Sequence, residues 1–223
     1  MNRQSLRSSL GGARLIGLVA LVVLLVLMVL NTKFLTPEEV KALQPKQFDP
    51  AAEAATLFAS AEESIPGSAT PLADIVTAVQ DDPAAAAEEF SAVSAAEGSY
   101  AFLATAEGTV TEATANSLRL EVEGVPSETP VIVPLKTAVN GTAVRDAMGF
   151  KFADAPGQTE YQYVGDELKK LMQAKVAQVS ADAESLKGKK VTVNGVVPLV
   201  VSGGPPPAAK PVNLQPVSIE VGS

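Results

Sequence analysis

Residues 100–122 read YAFLATAEGTVTEATANSLRLEV, and their apolar positions recur every second residue. Phe102, Ala104 and Ala106 alternate into Gly108-Thr109-Val110. Asn116-Ser117 then turns the chain into Leu118-Arg119-Leu120-Glu121-Val122, where apolar and charged side chains take turns. A period of two, interrupted by a short polar turn, predicts a pair of half-buried strands. Gly108 falls where a bulge or sharp coil would let a long strand bend.

Downstream, Pro130 to Leu135 reads as a third strand whose two prolines cannot donate to a ladder, so it lies at an edge or ends there. Gly165 to Val179 predicts a helix with Leu168, Leu171, Met172 and Val176 inward. Lys189 to Val197 alternates again through Val191, Val193 and Val197, and Pro216 to Val221 does so through Val217, Ile219 and Val221. Three strands, a helix and two strands is the order of a five-stranded OB-like Greek-key β-barrel with one long helix, over residues 99–223. A split barrel or a plain α+β sheet gives a similar string. Ser202 to Pro207 is expected to be a flexible or polyproline hairpin loop, lacking the Lys and following helix of a phosphate cradle.

Upstream, residues 34–98 form a short helical segment. Thr36-Pro37, Asp49-Pro50, Thr70-Pro71 and Asp82-Pro83 each resemble a capped helix start with Pro in the first turn. Ala54, Leu57, Phe58, Ala61 and Ile65 make one apolar stripe, and Leu72, Ile75, Val76 and Val79 another. The acid pairs Glu38/Glu39, Glu62/Glu63, Asp81/Asp82 and Glu88/Glu89 are solvated. Adjacent carboxylates on a helix diverge by about 100° and cannot converge on one ion.

Residues 1–33 are read as a cytoplasmic N-terminus and a transmembrane signal anchor. Leu15 to Leu30 is an unbroken run of sixteen residues without a polar side chain, and Val26 to Phe34, reading VLMVLNTKF, offers no small-residue cleavage site. Arg3, Arg7 and Arg14 on the N-terminal flank set that end in the cytoplasm and residues 34–223 outside. The chain as a whole has 17 Lys and Arg, 25 Asp and Glu and a net charge of −8. Four of those cations and no acid lie in residues 1–33, so the exported part carries a charge of −12. With aromatics at only 4%, that charge disfavours nucleic acid as a partner.

There is no His, Cys or Trp in 223 residues. This excludes imidazole bases, thiol nucleophiles, disulfides and His- or Cys-bound metals. A carboxylate-only glycosidase stays chemically open. No acid pair is singled out for it, and neither a catalytic residue nor a metal or cofactor is expected.

The candidate site lies between the third strand and the long helix, in VNGTAVRDAMGFKFADAPGQTEYQYVGDELKKLM. Arg145, Asp146, Gln158, Glu160 and Tyr161 concentrate polar and aromatic groups in what reads as a connection, the usual place for ligand or partner recognition. The structural alternative is that Arg145 pairs with a carboxylate to hold the loop while Phe152 and Tyr161 plug the open end of the barrel. Asn140-Gly141 reads as a turn, although Asn140-Gly141-Thr142 also fits a glycosylation acceptor.

The order of several short motifs resembles a bacterial family of predicted periplasmic lipoproteins, a domain of unknown function. Its markers run through Phe48-Asp49, Pro71 to Asp82, Tyr100-Ala101-Phe102, Thr142 to Ala147, Phe152-Ala153-Asp154, Gln158 with Glu160-Tyr161, Leu186 to Lys189 and Pro216-Val217. The chain departs from that family in lacking the lipid-bearing Cys. At Ala155-Pro156-Gly157-Gln158 the family pattern is closer to Phe-Thr-Asn-Gln. Members are often encoded beside sugar ABC-transporter components. The resemblance therefore implies a non-enzymatic accessory protein, anchored to the cytoplasmic membrane through Leu15–Leu30 and working with a sugar transport system. The alternative is a stand-alone module that binds a sugar or polyol.

Overall fold

The computed structural model describes residues 5–32, 35–37, 39, 48–201 and 211–222, in two units, Met1–Gln47 and Phe48–Ser223. The loop expected at residues 202–207 lies outside the described residues. In the first unit α1 runs from Ser5 to Asn31. Leu15 to Leu30 are exposed throughout, apolar on every side of the helix. Among the described residues, however, no helix is long and apolar enough to cross a membrane. This corrects the expected transmembrane helix. Sixteen apolar residues rise about 24 Å at 1.5 Å each, short of a hydrocarbon core of about 30 Å. Beyond α1, Thr36 and Glu39 exchange the expected capping-box hydrogen bonds: Thr36 N–H to the Glu39 carboxylate at 2.7 Å, and Glu39 N–H to Thr36 Oγ1 at 3.2 Å.

In the second unit α2 (Pro50–Ser68) begins where Asp49 accepts from the amides of Ala51 and Ala52, with Pro50 in the first turn. β1 is the two-residue strand Thr70–Pro71, and α3 (Leu72–Asp81) follows without a side-chain cap. Asp82 caps α4 (Pro83–Glu89). Then come β2 (Val93–Ala96), β3 (Ser99–Ala113), β4 (Ser117–Val122) and β5 (Val131–Pro134). The helices α5 (Gly141–Ala147), α6 (Gln158–Lys175) and α7 (Ala177–Ala181) precede β6 (Lys190–Val200), β7 (Val212–Asn213) and β8 (Gln215–Val221).

The fold is α+β, with a curled mixed sheet in the order β7-β5-β4-β3-β6-β8 and with β1 and β2 also on β3. The expected five-stranded OB barrel is therefore corrected to an eight-stranded sheet. The five expected strands are present as β3, β4, β5, β6 and β8, and β1, β2 and β7 are additions, β1 and β7 of only two residues each. β3 is the spine. One edge bonds β6 from Ser99 to Thr109, while the other carries β2, then β1 in parallel, then β4. The β3–β4 ladder shifts register between Val110 and Glu112.

Alternation on β3 divides two cores. Phe102, Ala104, Ala106 and Val110 join Leu118, Leu120, Val133, Val193 and Leu214, with α3 and α4 adding Leu72, Ile75, Val76, Ala86 and Ala87. The opposite face of the sheet, through Ala101, Val196 and Val217, meets Ala54, Phe58, Ala61 and Ile65 of α2 and Val164, Leu168 and Met172 of α6. The helices of residues 50–89 thus pack on the sheet. Lys175 of α6 also pairs with Glu62 of α2.

Candidate functional site

Two short-range choices of sequence build the site. Asn140-Gly141 does not make the expected turn but starts α5. Asn140 Oδ1 accepts from Thr142 N–H at 3.1 Å and from Thr142 Oγ1 at 2.6 Å. Asn140 is itself held, because its N–H donates to the buried Gln215 Oε1 of β8 at 2.7 Å. Gly141 is required by close approach. A β-carbon there would stand against the Gly165 carbonyl oxygen and the Lys169 nitrogen, so α5 and α6 cross backbone to backbone.

The second choice is the start of α6, which comes at Gln158 rather than at Gly165. Val164, Leu168 and Met172 bury one stripe against α2 and the sheet. Lys169 Nζ donates to the Thr137 carbonyl at 3.1 Å, and Gln173 Nε2 donates to the Lys136 carbonyl at 2.8 Å. Gln158, Glu160, Tyr161 and Tyr163 are therefore helical, not part of a connection.

Between α5 and α6 lies a cleft of about 350 Å³ lined by Thr142, Arg145, Phe152, Gln158, Tyr161, Gln162 and Asp166. Three of the five expected residues, Arg145, Gln158 and Tyr161, line it. Asp146 stands behind it. Glu160 is half-buried in the first turn of α6 with its carboxylate folded toward Gly157, and it does not line the cleft. Thr142, Gln162 and Asp166 were not anticipated. The signal for the last two is their i+4 and i+8 spacing from Gln158, which can be read only once the helix is known to start at Gln158.

Arg145 is 6% exposed, and each of its three side-chain nitrogens donates a hydrogen bond. Its Nε and Nη2 donate to Asp146 Oδ1 at 2.9 and 2.8 Å, and its Nη1 donates to the Tyr161 carbonyl at 3.0 Å. The guanidinium lies 3.6 Å from the centre of the Tyr161 ring, within cation–π range. Tyr161 Oη donates to the same Asp146 oxygen at 3.3 Å. The Tyr161 ring stacks on Phe150 at 6.0 Å and meets Phe152 edge-on at 5.7 Å. The structural alternative read from the sequence is thus realised in part: Arg145 does pair with a carboxylate, and the pair clamps α5 to α6.

Burial raises the Tyr161 phenol above its usual 10.0, and the Asp146 carboxylate adds to the rise, more than Arg145 offsets. A raised folded value favours the neutral phenol. Its contribution to stability is present below pH 10 and is lost as pH rises through the folded value. Urea unfolding should therefore show a steeper loss of stability above pH 10 in the parent than in Tyr161→Phe. Equal slopes would mean that the phenol titrates alike folded and unfolded.

Among the described residues no cluster of Asp and Glu could hold a metal ion. What the arrangement offers chemically is a neutralised charge pair, an exposed aromatic ring and uncommitted amides.

The curled sheet with helices on both faces defines the class, an α+β protein with an OB-like fold. An OB-fold protein from Thermotoga maritima, known from its crystal structure, has a TM-score of 0.66 and 18% identity, covering 79% of this chain and 100% of that one. The likeness shows the fold alone. The chain belongs to the family described as Predicted periplasmic lipoprotein (DUF2291), which matches residues 20–220. That description is of a membrane-associated, extracytoplasmic protein with no enzymatic role assigned. No curated protein matches the chain.

Proposed function

We propose that this is a membrane-attached, extracytoplasmic accessory protein that acts by contact rather than catalysis, and that its partner is a component of a sugar ABC transport system. One observation carries the reading: fourteen large apolar side chains between Leu15 and Leu30 are each at least half exposed. Covering a Leu or Val is worth about 1.5–3 kcal/mol, so this surface favours an apolar phase by on the order of 10 kcal/mol or more. A contiguous apolar surface of this kind marks a membrane or partner contact. The most enclosed ion pair points the same way, since Asp146 is committed to Arg145 and Tyr161 rather than free for acid–base work. The sugar-transport partner is the association implied by the family resemblance.

The test is photo-cross-linking of the full chain in its native membranes, after an alkaline wash. The protein is expected to stay with the membrane and to retrieve a sugar-transporter subunit above an unrelated membrane-protein control. Release into the wash would refute attachment. Enrichment of no transporter subunit would refute the partner.

A further inference from the structure

The cleft between α5 and α6 has a feature that the charge clamp does not use. Gln158, Gln162 and Asp166 fall at i, i+4 and i+8 on α6, all exposed and all on the cleft wall. Among the described residues none of the three makes a side-chain hydrogen bond or ion pair. On a convex helix such a stripe would be a solvated face. Here Phe152 on one side and Thr142 and Arg145 of α5 on the other wall it into a concavity. The Phe152 and Tyr161 rings meet in a T-shaped contact, yet Phe152 stays 57% exposed, so part of its ring remains open.

We infer that this cleft is a binding site for a small neutral polyhydroxylated molecule, a monosaccharide or cyclic polyol. The charge pattern sets the class. Arg145 is cancelled by Asp146 and lies almost wholly buried, so no free cation faces the cleft to attract an anion. Asp166 repels one. Two side-chain amides, each with donors and an acceptor, and one carboxylate match the alternating donors and acceptors of vicinal hydroxyls. The open Phe152 ring supplies an apolar platform for the C–H face of a sugar ring. A volume of about 350 Å³ lies at the lower end of ligand clefts and suits one six-membered ring, not an oligomer. Arg145, Asp146 and Tyr161 position the walls; Gln158, Gln162, Asp166 and Phe152 touch the ligand. This site does not depend on the transporter partnership proposed above.

The test is ligand-observed NMR on the full chain in a sugar-free zwitterionic detergent, titrated with D-glucose, D-galactose, D-ribose and myo-inositol. At least one should bind saturably with a dissociation constant on the order of 1 mM, as suits a shallow cleft. Gln162→Ala and Phe152→Ala should each weaken it by about tenfold or more with the melting temperature preserved, and Asp166→Asn should change the preference among the four. No saturable binding by any of them, or binding indifferent to both alanine variants, would overturn the assignment. Neither result bears on the cross-linking experiment, so the two readings fail separately.

Discussion

Arg145→Ala lowers stability by about 3 kcal/mol, which for a domain of this size is a fall of roughly 6–12 °C in melting temperature. The reason is what stays behind. Arg145 and Asp146 have side chains only 7% and 21% exposed, so truncation leaves a carboxylate with little water and only the long Tyr161 hydroxyl bond. It also strips the Tyr161 carbonyl of a donor and its ring of the stacked guanidinium. Arg145→Lys should recover part of the loss, because an ammonium restores the charge but not the flat two-nitrogen grip on Asp146. Urea midpoints of the three proteins decide the matter. A loss below about 1 kcal/mol, the worth of an exposed pair, would mean that the cluster is not a clamp.

Gly195→Ala is expected to cost about 3 kcal/mol or more, at the top of the range for overpacking. Gly195 sits in β6 opposite Pro216, at the register shift between Asn194 and Gly195. A β-carbon there would overlap the Gln215 carbonyl oxygen and lie 2.9 Å from its carbon and 3.2 Å from the Pro216 Cα. Those are backbone atoms in a strand, and Gln215 is further fixed by its bond to the Asn140 amide. The strand has to move, and α5 moves with it. The control is Gly67→Ala, where nothing stands within 4 Å of the new carbon and no comparable loss should appear. Equal melting temperatures for the two variants would show that β8 yields easily.

How legible each element was depended on its length and on where its partners lie. The long strands β3 and β6 announced themselves because Phe102-Ala104-Ala106 and Val191-Val193 bury alternate residues over spans long enough to show a period. β1 could not. Thr70-Pro71 resembles a helix cap, and only its parallel pairing with Ala104 and Thr105 makes it a strand. In α6, the run Tyr161-Gln162-Tyr163 hides a helix behind residues that look like a recognition loop, while Val164, Leu168 and Met172 carry the buried stripe. α5 was missed because Asn-Gly favours turns locally. Gln215, which fixes the Asn140 amide instead, lies seventy-five residues away. Within the site, Arg145, Gln158 and Tyr161 stood out by residue type. Gln162 and Asp166 became visible only through the helix that aligns them.

β7 and β8, the two outermost strands of the path, follow one another in the chain with only Leu214 between them. Leu214 N–H reaches the Ile132 carbonyl at 2.9 Å, and β7 pairs with β5 while β8 pairs with β6. One short segment therefore latches both margins of the sheet at once. Until it arrives, about a hundred residues after β3, β5 and β6 present bare edges and the sheet cannot finish curling. Closure of the sheet is therefore expected to be among the last steps of folding, since it waits on the pairing of greatest sequence separation.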